Sequence, residues 1–179
     1  MALSVRVSHK DDDAEQELGG GINLDSDELD MVEHGETGGT QIIGIRFASV
    51  DIPPGAVIVG AAIQFTAEEA ADRPTTLVFQ GEAAGKSKKF GKKQNNISDR
   101  ARTNASVIWQ EIPPWLTLGE LQYTPDLSPI VQEIIGHKDW RAGNPITFIV
   151  TGSGQRLAEA YDEHPDRAPL LLVQYILPE

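Results

Sequence analysis

The sequence predicts an all-β fold: an antiparallel β-sandwich of the jelly-roll kind with one short α-helix, in a single domain over residues 1–179. Two observations carry that prediction. Apolar residues alternate with polar ones in short segments separated by Gly, Pro, Asn and Asp, the pattern of half-buried strands joined by turns. Only one segment shows the helical period, which argues against alternating βαβ units and for two packed antiparallel layers.

In chain order, Leu3, Val5 and Val7 alternate with Ser4, Arg6 and Ser8 and predict the first strand. DDDAEQELGGG reads as an acid-rich, Gly-rich loop. Ile22 and Leu24, then Leu29 and Met31, predict two short strands, with Leu29 and Met31 turned inward. QIIGIRF at 41–47 is a compact apolar strand, closed by a turn at SVDIPPGA. Residues 57–66 form the longest strand candidate, and 75–80 and 106–109 are β-branched or aromatic enough to follow it. In SPIVQEIIGHKDW, Ser128 is expected to cap a helix, Pro129 to occupy its first helical position and Gly136 to stop it. Ile130, Val131, Ile134 and Ile135 then share one face, which should cover an end or edge of a sheet. Strands at 146–151 and 170–176 complete the pattern. GKSKKFGKKQNN is expected to be an exposed, mobile loop.

Apolar residues make up 40% of the chain and charged residues 23%, enough apolar content for one continuous core. The absence of cysteine excludes disulfides, thiolate zinc sites and thiol catalysis. A net charge of −12 opposes nonspecific nucleic-acid binding and favours cations or a basic partner. The charge is uneven: eleven acids and no Lys or Arg lie between Asp11 and Glu36, while five of the seven lysines lie between Lys86 and Lys93. MALSVRVSHKDDD lacks the basic start and apolar stretch of a secretory signal. No run approaches membrane-spanning length, so no membrane partner is expected.

Asp11, Asp12, Asp13 and Glu15, with Asp25, Asp27, Glu28 and Asp30, supply enough hard oxygen donors for calcium, although their spacing is not that of an EF-hand. A solvated acidic face is the alternative. Glu28 and Asp30 fall on one face of a strand. Lys88, Lys89, Lys92 and Lys93, with Lys86, suit an acidic polysaccharide, a nucleic-acid backbone or the acidic face of another copy; a merely solvated loop is the alternative. Phe90, interleaved among them, favours a contact role. Trp115, after Pro113 and Pro114, is expected to be an exposed stacking surface for a sugar ring, with Tyr123 nearby in sequence. Trp109 reads as core and Trp140 as packing at the helix exit. Arg46, Arg100, Arg102 and Arg156 are expected to pair with acids or loop carbonyls. Catalysis finds no motif: His9, His34, His137 and His164 are scattered, Gly152-Ser153-Gly154 reads as a turn, and no phosphate-binding loop is present. The chain is read as no enzyme.

Three stretches in order resemble the DNRLRE-type domains: IGIRFASVDIPPGAVIVGAAIQF, YTPDLSPIVQEIIGHKDWRAGNPITFIV and RLAEAYDEHPDRAPLLLVQY, together spanning 41–175. In the last, an acidic residue, here Asp162, precedes a Pro-Leu strand ending in Tyr. The resemblance implies a jelly-roll module, frequently calcium-bound, that binds carbohydrate or displays itself on a cell or particle surface. The metal ligands expected are Asp12, Asp13, Glu15, Glu28, Asp30 and Asp162. The functional expectation is therefore an extracellular, calcium-stabilised module that binds polysaccharide. The alternative is a homo-oligomeric subunit of a virion, sheath or filament whose acidic 11–36 region meets the lysine loop 86–93 of the next copy head to tail.

Overall fold

The computed structural model describes residues 1–34 and 39–178. Along the chain run β1 (Ala2–Arg6), β2 (Asp13–Gln16), β3 (Ile22–Asn23), β4 (Glu28–His34), β5 (Gly39–Thr40), β6 (Ile42–Phe47), β7 (Val57–Thr66), β8 (Thr76–Glu82), β9 (Arg102–Trp109), β10 (Leu121–Tyr123), α1 (Ser128–Ile135), β11 (Ile146–Ser153), β12 (Gln155–Glu159) and β13 (Leu170–Ile176). They form a four-stranded sheet β1-β13-β7-β10, a six-stranded sheet β3-β2-β6-β11-β8-β9 and a three-stranded sheet β12-β4-β5. The pairings that build these sheets are antiparallel, as in β1 with β13, β6 with β11 and β4 with β12. Strands distant in sequence lie side by side, because the chain passes repeatedly from one layer to the other. The result is the expected jelly-roll β-sandwich.

Its main core draws on all three sheets. Ile58, Ile63 and Phe65 of β7 and Leu171 and Val173 of β13 join Phe47, Phe79 and Phe148 of the six-stranded sheet, with Leu29 and Met31 of β4 inward as expected. Phe47 and Phe148 meet edge to face with centroids 6.0 Å apart. Trp140 is buried and its indole N–H donates to the Ile52 carbonyl (2.9 Å).

Helix α1 buries the four expected residues. It also satisfies edge backbone: the Glu133 carboxylate accepts the amides of Asn104 and Ala105 on β9 (2.9 and 2.8 Å), and Gln132 Oε1 accepts that of Ile58 (2.9 Å). The helix lies close over Gly81, where a Cβ would stand 2.6 Å from Ile134 Cδ1. Ser128 is not the cap. Leu127 holds that position, and the Ser128 hydroxyl and amide both donate to Asp126 (2.6 and 3.0 Å).

The largest departure from the sequence reading is DDDAEQELGGG. It contains β2, whose four residues are all buried between β3 and β6. The strands β5, β10 and β12 were likewise not anticipated. Two of these are two or three residues long, and β12 is QRLAE, too polar for an apolar alternation to show.

On the outer face of the six-stranded sheet, Ala14, Leu24, Phe90, Ile97 and Ile149 form a second, smaller core. Its roof is the segment between β8 and β9, which carries the lysines. Phe90 lies directly on Gly44, where any side chain would collide with its ring.

Candidate binding groove

Alternation of buried and exposed residues places the lysines. Ser87, Phe90 and Ile97 point down, while Lys86, Lys88, Lys89, Lys92 and Lys93 point out. Each anchor is held: the Thr147 hydroxyl donates to Ser87 Oγ (2.8 Å), the Phe90 amide donates to the Asp11 carbonyl (3.0 Å), and Gln16 Oε1 of β2 accepts the amides of Ile97 and Ser98 (2.9 Å each). The Arg100 guanidinium lies 4.4 Å over the Phe90 ring. It also donates to Glu82 (2.7 Å) and to the carbonyls of Lys88 (2.9 Å) and Lys89 (3.1 Å). The segment is a tied-down platform rather than the expected free loop, and Phe90 is its anchor rather than a contact residue.

Lys86, Lys88, Lys89, Lys93, Asn96 and Arg100 line an open groove of about 400 Å³ on this platform, together with Glu82, which Arg100 holds, and Asp99. Lys93 approaches Asp99 at 3.9 Å. Lys86, Lys88 and Lys89 have no carboxylate within 4.0 Å among the described residues, so their positive charge projects into the groove. Lys92 turns away: with Lys10 it holds Asp25 (3.0 and 2.8 Å), and these two hydrogen bonds pull the Asp25 carboxyl down to about 2. Part of the acidic segment therefore meets part of the lysine segment within one chain. Residues 35 and 36 of the 11–36 region lie outside the described residues.

The two aromatic expectations are corrected. Trp115 has no exposed surface (0%) and packs against Phe65 and Trp109, each at 6.4 Å. Its backbone exchanges two hydrogen bonds with Ala71 (2.9 and 2.8 Å), which draws the loop inward. Arg156, itself fully buried, fastens the same loop by donating to the Ile112 and Pro113 carbonyls (2.6 and 3.1 Å), to the Arg73 carbonyl (2.8 Å) and to Thr75 Oγ1 (2.7 Å). Tyr123 is 49% exposed, but it stands on the outer face of the four-stranded sheet, on the opposite side of the sandwich from the lysines.

The six expected calcium ligands divide among four places. Asp12 pairs with Arg46 at 2.6 Å, both nearly inaccessible. Asp13 accepts the Tyr161 amide (2.9 Å), and burial, then the nearby charge of Asp162, pushes its carboxyl up to about 7. Asp162 is itself raised, by burial first. Glu15 Oε1 accepts the Asp30 amide (2.8 Å), and Asp30 Oδ1 accepts from the Gln155 side-chain Nε2 (3.0 Å). Glu28 stands apart with Glu68 and Glu69. Strand alternation is the reason: Asp12 faces the opposite side of the sheet from Asp13 and Glu15, so these residues do not assemble the six to eight oxygens calcium takes. What the sequence reading missed is a second group, Glu159, Glu163 and His164, for which the one available signal was ExxxEH at the end of β12.

No family model matches the chain, and comparison with curated proteins finds no match. The likeness to DNRLRE-type domains therefore stands on the three sequence stretches. Among solved structures, the chain is similar at 12% identity to a chain in a structure described as that of the infectious bursal disease virus Gt strain. The match covers 97% of this chain and 31% of the viral one, so this chain spans about a third of that length. Its TM-score is 0.36, too low to carry an argument about fold or role.

Proposed function

We propose that the protein is a non-catalytic binding module that recognises an acidic polysaccharide through the groove of Lys86, Lys88, Lys89 and Lys93. The observation that carries this reading is the platform. Phe90, Arg100 and Gln16 hold the backbone in place, so three unneutralised ammonium groups are presented at little ordering cost. On a chain of net charge −12, such a patch is selective for a local polyanion presented in a groove rather than for long duplexes, which the remaining surface repels. No helix among the described residues is long and apolar enough to cross a membrane.

Titration calorimetry against polygalacturonate, dextran sulfate and neutral dextran tests the reading. Binding to the two acidic polymers, weakening steeply with salt and lost in Lys88→Glu/Lys89→Glu, is expected. Equal affinity for neutral dextran, or acidic-polymer binding that survives the double substitution, refutes it.

A second reading, a self-assembling structural subunit, is favoured by a different surface. The outward side chains of the four-stranded sheet include Val57, Val59, Leu172, Gln174, Ile176 and Tyr123, and carry no charge apart from Arg6 at one corner. With Asp126 at its margin, it is a nearly uncharged face on which two copies of so acidic a chain meet with little repulsion. In the head-to-tail contact expected from sequence, Asp25 is already held by Lys10 and Lys92 of its own chain, which leaves the other exposed acids of 11–36 to meet Lys86, Lys88 and Lys89. Sedimentation of the wild type and of Val59→Lys separates the readings: a concentration-dependent dimer abolished by Val59→Lys supports assembly, and a monomer at all concentrations removes it.

A further inference from the structure

Antiparallel pairing sets Glu28 of β4 opposite Glu159 of β12, and the Glu68 amide, just beyond β7, donates to the Leu157 carbonyl (3.0 Å). Three chain segments thus bring carboxylates to one corner of the sandwich. The turn after β12 then folds back, with the His164 amide donating to the Ala160 carbonyl (3.3 Å), and carries Glu163 and His164 to Glu159.

Glu159 is only 4% exposed. Its Oε1 accepts a hydrogen bond from Arg167 (3.1 Å), but its Oε2 is buried with no hydrogen-bond partner. His164 Nε2 stands 3.9 Å from that oxygen and 3.8 Å from Glu163 Oε1, too far for hydrogen bonds to either. One donor atom from each of the three residues lies within 4.8 Å of the others. A point equidistant from three atoms so spaced is no more than about 2.5 Å from each, close to the roughly 2.0–2.2 Å of zinc bonds to histidine nitrogen and carboxylate oxygen.

We propose that Glu159, Glu163 and His164 hold a divalent cation of the zinc or manganese class. The imidazole selects against calcium and magnesium, which take oxygen alone. Arg167 fixes the Glu159 carboxylate by one oxygen and leaves the other for the ion. Glu28, Glu68 and Glu69, grouped alongside, add negative potential, and a second buried oxygen, Glu68 Oε2, also lacks a hydrogen-bond partner. None of these residues belongs to the lysine groove.

The experiment is calorimetric titration of the full chain, after chelator treatment, with zinc, manganese and calcium chlorides separately. Expected are one site per chain for zinc or manganese, at least about tenfold tighter than calcium, and a loss of about tenfold or more in His164→Ala and in Glu163→Gln. Both substituted residues are at or near the surface, so circular dichroism should show these variants folded. Glu159→Gln should lose binding too, but because it also holds Arg167 the other two variants decide. Lys88→Glu/Lys89→Glu should keep the metal, which separates this site from the groove. Absence of zinc and manganese binding, or equal binding in His164→Ala, overturns the assignment. Calcium binding lost in Glu68→Gln and kept in His164→Ala also overturns it, and moves a hard cation to the carboxylate flank.

Discussion

The acid-rich segment before β4 and the lysine-rich segment between β8 and β9 look alike in sequence, each a run of one charge sign that composition would leave in water. The fold treats them oppositely. The first becomes β2, with Asp12, Asp13 and Glu15 all buried; the second stays at the surface with its lysines exposed. The difference lies in what each charge can reach. A short carboxylate beside open strand edges accepts backbone amides, as Asp13 does from Tyr161 and Glu15 from Asp30, or an arginine, as Asp12 does from Arg46. An ammonium on a long flexible stem offers less to a sheet, and its desolvation is costly. Here it is the residues between the lysines, Ser87 and Phe90, that go in. Charge composition does not decide exposure; the supply of partners does.

Substitutions on the two segments should sharpen that contrast. The largest effect is expected from pH acting on Asp13. Its folded-state carboxyl sits near 7, raised from the ordinary 3.8, so between those values the folded chain keeps a proton that the unfolded chain has released. The contribution of this carboxyl to stability should therefore fall as pH rises through that window, by about 4 kcal/mol, and level off above it. In Asp13→Asn this contribution should vanish while the Tyr161 amide keeps its acceptor. Urea unfolding at several pH values, wild type against variant, checks both, and parallel profiles would refute the assignment.

Next in size, Phe90→Ala removes the anchor of the second core and should cost about 3–4 kcal/mol in urea unfolding. It should also weaken acidic-polymer binding, because the lysine backbone loses its platform. Asp12→Ala leaves Arg46 buried without its partner and should cost about 3 kcal/mol, with Asp12→Ala/Arg46→Met costing less than the single change. The smallest stability effect belongs to Lys88→Glu/Lys89→Glu, within about 0.5 kcal/mol of wild type by the same assay, since both side chains are exposed. A large destabilisation there would mean that the lysine segment is structural after all.

Much of the architecture was legible. Residues 57–66 and 170–176 are strands to the residue, and the four apolar residues of α1 are the ones it buries. Their periodicity is local, set by how a strand or helix presents successive side chains to one apolar layer. β2 and β12 were not legible, because their buried residues include Asp13, Glu15, Arg156 and Glu159. A buried polar side chain is tolerated only through partners that arrive from elsewhere in the chain. The site suffered the same way: the lysines were visible as a run, but neither the Phe90 anchor, nor the burial of Trp115, nor the placing of Tyr123 on the opposite face was.

From the sequence alone came the fold class, the strand spacing and the total charge, quantities determined by residues acting over a few neighbours. Only the tertiary structure decided which charges are satisfied and which are left facing solvent or one another. Asp12 meets Arg46 across 34 positions and Asp13 meets Tyr161 across 148, and Glu28, Glu68 and Glu159 converge only because three strands end at one corner. Electrostatic partnership depends on distance in space, and in a sandwich whose chain crosses repeatedly between layers that distance is unrelated to separation along the chain.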